Sequence, residues 1–374
     1  MRFVRSSIKK MCDLASHQHV ICIGAGGELR KFLQYCPIGG AIDCIVDNDE
    51  RKWNQIYKHL SFEIPIVSLD KALTMLRETV ALVITVNPTY FYDILCQLNT
   101  FKELRYADIY WSYEILSKEI PRHVNDSLPA SLRCYHTQRI PKIIHYAWFG
   151  GSSIPNRHQK YIEGWKEFCP EWEFICWNEH NYDITRNHYM HQAYLSKKWG
   201  FVPDYLRKDV IYRYGGIYLD TDVEIVKPLD DLLYQDGFCA FEGKRINFGL
   251  GCGGRKGLPI FKEMRDAYDS LTFEFKKREE MFIGPDYETN QLVERGLRLT
   301  GTYQHVAGLT VYPSDVLSGT LPFTAEPIIT PVTYTVHHYA GSWDDSANRQ
   351  KRNFSERLCT AIWEHACLEL DNFL

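Results

Sequence analysis

"VPDYLRKDVIYRYGGIYLDTDVEIV", residues 202–226, is the stretch whose reading decides the fold. Pro203 suits the first position of a helix, where its missing N–H costs no bond. Tyr205, Leu206, Val210, Ile211 and Tyr214 then recur at helical spacing. Asp204, Arg207 and Lys208 stand three and four residues apart and share a neighbouring face. Gly215 and Gly216 end the helix, because glycine accepts the left-handed cap. "IYLDTDVEIV" follows as an extended strand. Its period of two puts Asp220 and Asp222 on one side and Thr221 on the other.

Two carboxylates on one side repel and raise each other's pKa unless a cation stands between them. One reading is a solvated acidic loop. The other is a hard divalent cation, Mn²⁺ or Mg²⁺, held by oxygen ligands at a strand end, where α/β proteins place ligands. The apolar residues on both sides favour the cation. A metal with carboxylates and no evident nucleophile suits cleavage of a sugar–diphosphate bond, since the metal stabilises charge building on the leaving diphosphate. A nearby arginine can bond sugar or phosphate oxygens in a fixed fork geometry.

The flanking segments read as α/β layers. "IIHYAWF" (143–149) is a β-branched and aromatic strand, "RHQKYIEGWKEFCP" (157–170) a helix and "EWEFICWNE" (171–179) a second strand. "RINFGLGCGGRKG" (245–257) is glycine-rich, so it is either a backbone close to a ligand or a flexible connection. "FIGPDYETNQLVERG" (282–296) is a loop entering a helix. "YTVHHYAGSW" (334–343) is a strand entering a glycine turn; on the residues alone, His337 and His338 are ordinary strand histidines on opposite faces. The tail 349–374 predicts a closing helix, with a membrane-surface role as the alternative.

Towards the N-terminus, short apolar strands alternate with helical stretches: "HVICIGAGG" (19–27), "ELRKFLQYC" (28–36), "IDCIVDND" (42–49), "LVITV" (82–86) and "YFYDILCQLN" (90–99). This alternation predicts a parallel sheet with helical crossovers. Gly24, Gly26 and Gly27 occupy the strand-to-helix turn, and Asp47 ends the next strand, where dinucleotide enzymes hold a ribose. Leu29 stands where the third fingerprint glycine belongs, so the turn either binds a nucleotide or is a turn of this shape that binds nothing catalytic. Residues 16–115 resemble the Rossmann-like accessory domains often joined to bacterial sugar-transfer enzymes. The polar stretch 117–139 reads as a linker.

The 374 residues leave room for two domains, and 45% apolar with 24% charged residues is the composition of a globular protein. A net charge of −4 offers no general basic coat, so no nucleic-acid partner is expected. No apolar run approaches the roughly 18 residues of a bilayer span. The N-terminus has no apolar h-region, and the twelve cysteines include no Cys-x-x-Cys pair, which together predict a cytoplasmic chain with reduced thiols and no zinc site.

Three stretches, "IPKIIHYAWFGG", "DYLRKDVIYRYGGIYLDTDVE" and "HHYAGSW", lie in order along about residues 140–345 and together resemble glycosyltransferase family 32. That group holds Asp-x-Asp sugar transferases of bacterial capsule synthesis and the yeast initiating mannosyltransferase, and is similar to the glucosyltransferase domain of the large clostridial toxins. The resemblance implies a GT-A-type nucleotide-diphospho-sugar transferase domain over 140–374, preceded by the Rossmann-like parallel-sheet domain over 1–116. It implicates Trp148 beside the nucleotide base, and Asp204 and Arg207 on the donor sugar. Asp222 would ligate the metal directly, and Asp220 the ribose or the metal through water. The toxins carry a metal-binding acid five positions before a tryptophan, which here is His338, before Trp343. Ser342 and Trp343 would face the leaving diphosphate, and Asp286 and Asn290 the acceptor.

The activity so implied is a metal-dependent, retaining, front-face transfer of a hexose to a glycan or lipid-linked acceptor in bacterial surface polysaccharide synthesis. The donor is a UDP-hexose, with GDP-mannose as the alternative, and any membrane contact is peripheral. Two other classes compete. An NAD(P)-dependent oxidoreductase built on the first domain lacks the third glycine and a hydride-site constellation. A non-catalytic sugar-nucleotide-binding module has no need of the intact Asp204, Arg207, Asp220 and Asp222.

Overall fold

The computed structural model describes residues 1–76, 80–119, 128–243, 245–274, 283–319 and 329–341, and part of 350–370. These residues form two compact units. The first gathers residues from Met1–Pro121 and Asp345–Leu374, the second residues from Arg122–Pro322 and Pro327–Asp344.

The first unit is a doubly wound sheet. Its strands are β1 (Arg2–Val4), β2 (His19–Ile23), β3 (Ile42–Val46), β4 (Ile56–His59), β5 (Phe62–Val67), β6 (Val80–Ile84) and β7 (Asp108–Trp111), in the order β1-β7-β6-β2-β3-β5-β4. All neighbours are parallel except the β4–β5 hairpin. Helices α1 (Ile8–Ala15), α2 (Gly27–Tyr35), α3 (Leu69–Leu73), α4 (Pro88–Asn99) and α5 (Ser112–Glu119) connect them. In β2 the side chains alternate between two cores: Val20 and Cys22 pack with Leu29 and Phe32 of α2, and Ile21 and Ile23 with Phe91 and Leu95 of α4.

The chain end departs from the expected boundary. The second domain was expected to run to residue 374, but Cys367–Glu369 pairs antiparallel with β1, and Leu358, Cys359 and Leu370 are buried in the core of the first unit. The strand extends a sheet edge, and its apolar side chains complete that core. The expected linker 117–139 is also not free along its length. Leu128 and Leu132 pack on the second unit, and the Cys134 and Tyr135 amides donate to the Tyr234 carbonyl.

The second unit is a mixed sheet. Its strands are β8 (Ile143–Ala147), β9 (Glu173–Trp177), β10 (Gly216–Tyr218), β11 (Val223–Ile225), β12 (Gly237–Glu242), β13 (Arg245–Ile246), β14 (Cys252–Gly254), β15 (Gln304–Val306), β16 (Leu309–Tyr312) and β17 (Thr335–His337). Seven of them run β15-β16-β12-β14-β10-β8-β9, β13 pairs with β12, and β11 pairs only with β17. The helices are α6 (Asn156–Phe168), α7 (His188–Leu195), α8 (Pro203–Tyr214), α9 (Pro259–Asp266), α10 (Gly284–Val293) and α11 (Ser314–Leu317).

Helix α8 begins at Pro203 and stops at Gly215, as expected. Its residues 203–211 are all buried, so the charged face of Asp204, Arg207 and Lys208 points inwards. The expected single strand after it is divided. β10 belongs to the large sheet and β11 to the two-stranded one, and Asp220–Asp222 form the turn between them, closed by the Val223 amide on the Asp220 carbonyl. His145 of β8 is buried beside β10. It accepts the Trp177 indole N–H at Nδ1 (3.1 Å) and donates from Nε2 to the Gly215 carbonyl (2.8 Å), and burial holds its pKa down at about 4.

Candidate active site

The Asp-x-Asp turn is the centre of the site. Asp220, Asp222 and His337 each offer a ligand atom, and these atoms lie within 4.8 Å of one another. The Asp220 amide donates to the Gly249 carbonyl (3.1 Å). A side chain at Gly249 would overlap the Asp220 carboxylate, so the glycine-rich stretch does bring its backbone against the site. Asp222 accepts the Ala340 amide (2.7 Å) and faces His337 Nε2 at 3.3 Å. Burial opposes the Asp222 charge, but His337 and that amide hold its pKa below the usual carboxylate range. Burial pushes Asp220 up; Arg207 pulls it down and Asp222 adds to the rise. Thr221, between them, meets His158 Nδ1 of α6 (2.9 Å).

The expected ligand His338 does not join this group, and its neighbour His337 does. Antiparallel pairing sets Val223 opposite His337, and the His338 amide donates to the Asp222 carbonyl. With that register fixed, His337 turns towards the carboxylates and His338 away from them. The His338 ring contacts Glu224 through Nε2 (2.8 Å) and Arg157 through Nδ1 (3.3 Å), and stacks on Tyr161 at 4.5 Å. Two carboxylates and an imidazole make a mixed oxygen–nitrogen set that suits Mn²⁺ better than Mg²⁺, which favours oxygen.

Beside the turn lies a buried charge cluster from α8. Arg207, 3% exposed, has its guanidinium 3.5 Å from Asp204, 3.5 Å from Asp220 and 3.7 Å from Glu288, and its Nε has no hydrogen-bond partner among the described residues. All three contacts are long for charge-assisted bonds, so the fork has capacity for further acceptors. Burial raises Asp204 to about 6, against the pull of Arg207 and Lys208. The first residue of α10, Gly284, lies so close that an added Cβ would sit 2.6 Å from Asp204 Oδ1. Lys208, placed on this face from the sequence, and Glu288, missed there, are both fully buried and form a 2.8 Å pair.

The remaining expected residues divide. Trp148, just after β8, donates to the Ser152 carbonyl and sets its ring edge-on to His158, which brings it next to the turn. Asp286 caps α10 by accepting the Ile283 amide (3.1 Å) and pairs with Arg245 (3.4 Å), and Asn290 is exposed one turn on. Ser342 and Trp343 lie outside the described residues. In the first unit, Gly24 (φ +110°) packs against the Thr85 carbonyl, and Gly26 and Gly27 open α2. Both Asp47 oxygens already have partners: Oδ2 accepts from Ala25 N and Lys52 Nζ, and Oδ1 from Asp49 N.

A family model described as "Glycosyltransferase sugar-binding region containing DXD motif" matches residues 155–239, the span that holds Asp204, Arg207, Asp220 and Asp222. Among curated proteins, the chain is similar to Inositol phosphoceramide mannosyltransferase 1 of Schizosaccharomyces pombe, at 29% identity over 27% of this chain and 34% of that protein. It is also similar to Inositol phosphoceramide mannosyltransferase 3 of the same yeast, at 31% identity over 25% and 28%. The chain thus spans about a third of the length of the curated relatives it matches. Among solved structures it is similar to PaToxG Glycosyltransferase, with a TM-score of 0.35 and 18% identity, over 43% of this chain and 70% of that one. A glycosyltransferase involved in the glycosylation of the major capsid of PBCV-1 gives a TM-score of 0.30 and 14% identity, over 57% and 99%. The segment 155–239 is thus similar to the sugar-binding region of Asp-x-Asp glycosyltransferases, in keeping with the resemblance drawn from the sequence.

Proposed function

We propose that this chain is a metal-dependent, retaining glycosyltransferase that moves a hexose from a nucleotide-diphosphate sugar to a glycan or lipid-linked acceptor. The observation that carries the reading is the convergence of Asp220, Asp222 and His337 beside the buried Asp204–Arg207 pair. Bound there, a divalent cation would offset the charge gathering on the departing diphosphate. Arg207 orients sugar oxygens through its fork. Asp204 accepts from a sugar hydroxyl, and the half-exposed Trp148 offers its ring to the base. The curated relatives are named as mannosyltransferases of inositol phosphoceramide, which favours GDP-mannose beside the UDP-hexoses and a lipid-linked acceptor beside a free glycan. No helix of the described residues is long and apolar enough to cross a membrane.

The test is a thermal-shift panel of UDP-glucose, UDP-galactose, UDP-N-acetylglucosamine, GDP-mannose and NAD, each with and without Mn²⁺. A ligand that binds only the folded state raises apparent stability by mass action. A shift for one donor that requires Mn²⁺ and is lost in Asp222→Ala is the expected result. A shift with NAD alone would move the site to the first unit and overturn the reading.

A further inference from the structure

We infer that Glu288 is a positioning residue for this site, holding Arg207 and the turn that seats Asp220; the inference rests on the transferase reading above. Glu288 lies on α10 and is fully buried. Its Oε1 accepts from Lys208 Nζ at 2.8 Å and stands 3.7 Å from Arg207 Nη1. Its Oε2 accepts from the Phe248 amide at 2.8 Å. One carboxylate therefore ties together α8, α10 and the 247–250 turn.

Each of those ties leads to a residue of the candidate site. Phe248 precedes Gly249, whose carbonyl holds the Asp220 amide and whose Cα lies against the Asp220 carboxylate. Lys208 also donates to the Asp204 carbonyl at 2.8 Å, which fixes the first turn of α8. Arg207 has three acidic neighbours at nearly equal distance. With Glu288 neutral, the balance tips and the guanidinium is drawn onto Asp204 and Asp220, away from a donor sugar.

A simpler role is that of counter-ion to Lys208. Buried ion pairs add little net stability over a packed apolar pair, so stability alone gives no reason for both charges. The two roles separate in the double variant Lys208→Met/Glu288→Met, which removes both charges at similar volume. A counter-ion predicts that this variant behaves as wild type in every respect. A positioning residue predicts that it melts near wild type but lacks the grip on Phe248 and Arg207.

The experiment compares wild type, the double variant and Lys208→Gln/Glu288→Gln by thermal melting, by Mn²⁺ calorimetry, and by release of UDP or GDP from the four donors with Mn²⁺. We expect the double variant to keep its melting temperature within a few degrees, to bind Mn²⁺ about tenfold more weakly, and to lose at least about tenfold in kcat with KM changed less. Unchanged Mn²⁺ affinity and kcat in a folded double variant would overturn the inference. Should that variant fail to fold, Lys208→Gln/Glu288→Gln, which also removes both charges and keeps an acceptor for Phe248, carries the same comparison. Wild type that releases nothing from any donor counts against the transferase reading, and Mn²⁺ affinity then decides the role of Glu288 by itself.

Discussion

Replacing each of two adjacent histidines tests the geometry of the site most directly. His337→Ala removes one of three ligand atoms that converge within 4.8 Å. Residues that merely support metal ligands commonly cost 10–100-fold in affinity, so losing a ligand itself should cost about a hundredfold or more, roughly 2.7 kcal/mol. His338→Ala removes contacts to Glu224 and Arg157 at the outer side of β17 and leaves the three ligand atoms in place. Glu224 is 43% exposed, so water replaces the lost partner, and Mn²⁺ affinity should stay within about threefold. The assay is Mn²⁺ titration followed by electron paramagnetic resonance of the free ion, with a circular-dichroism melt on each variant. His337 is buried, so His337→Gln accompanies the alanine variant to limit cavity effects. Loss of binding in His338→Ala with retention in both His337 variants would refute the register of β17 against β11 and the site built on it.

Two further predictions concern the frame of the site. Gly249→Ala should place a methyl group into the Asp220 carboxylate; we expect a folded protein destabilised by about 1–3 kcal/mol that binds Mn²⁺ weakly, read by melting and titration, and an unchanged affinity would show that the turn yields freely. His145 is held neutral, its pKa lowered from 6.5 to about 4, so its contribution to stability is fully present above pH 6.5 and is lost as the pH falls through 4. Urea unfolding across that range should show wild type losing roughly 3 kcal/mol more than His145→Gln, and identical acid limbs would contradict a buried neutral imidazole.

Local signals made much of the fold legible. The run from "HVICIG" into glycine gave β2 and α2, and Pro203 with Gly215 bracketed α8 to the residue. What stayed hidden depended on partners distant in sequence. "IYLDTDVEIV" looks like one strand because nothing in it marks the transfer from the large sheet to β17. His337 and His338 differ only in which way each faces, and a strand's facing is set by register across another strand. Lys208 did leave a trace, since it shares a face of the helix with Asp204 and Arg207. Where its acid partner lies, 80 positions on in Glu288, the sequence pattern does not say. The return of Cys367–Glu369 to β1 was masked by helical spacing just before it.

That return has a bearing on synthesis. A ribosome completes β1 to β7 early, then makes the whole sugar-binding region before it reaches the strand that borders β1. Until then the outer edge of β1 presents unpaired amides and carbonyls, a template for any other extended chain. Products that stop short of residue 367 carry that open edge permanently. The nascent chain therefore cannot close its first unit before its second has emerged.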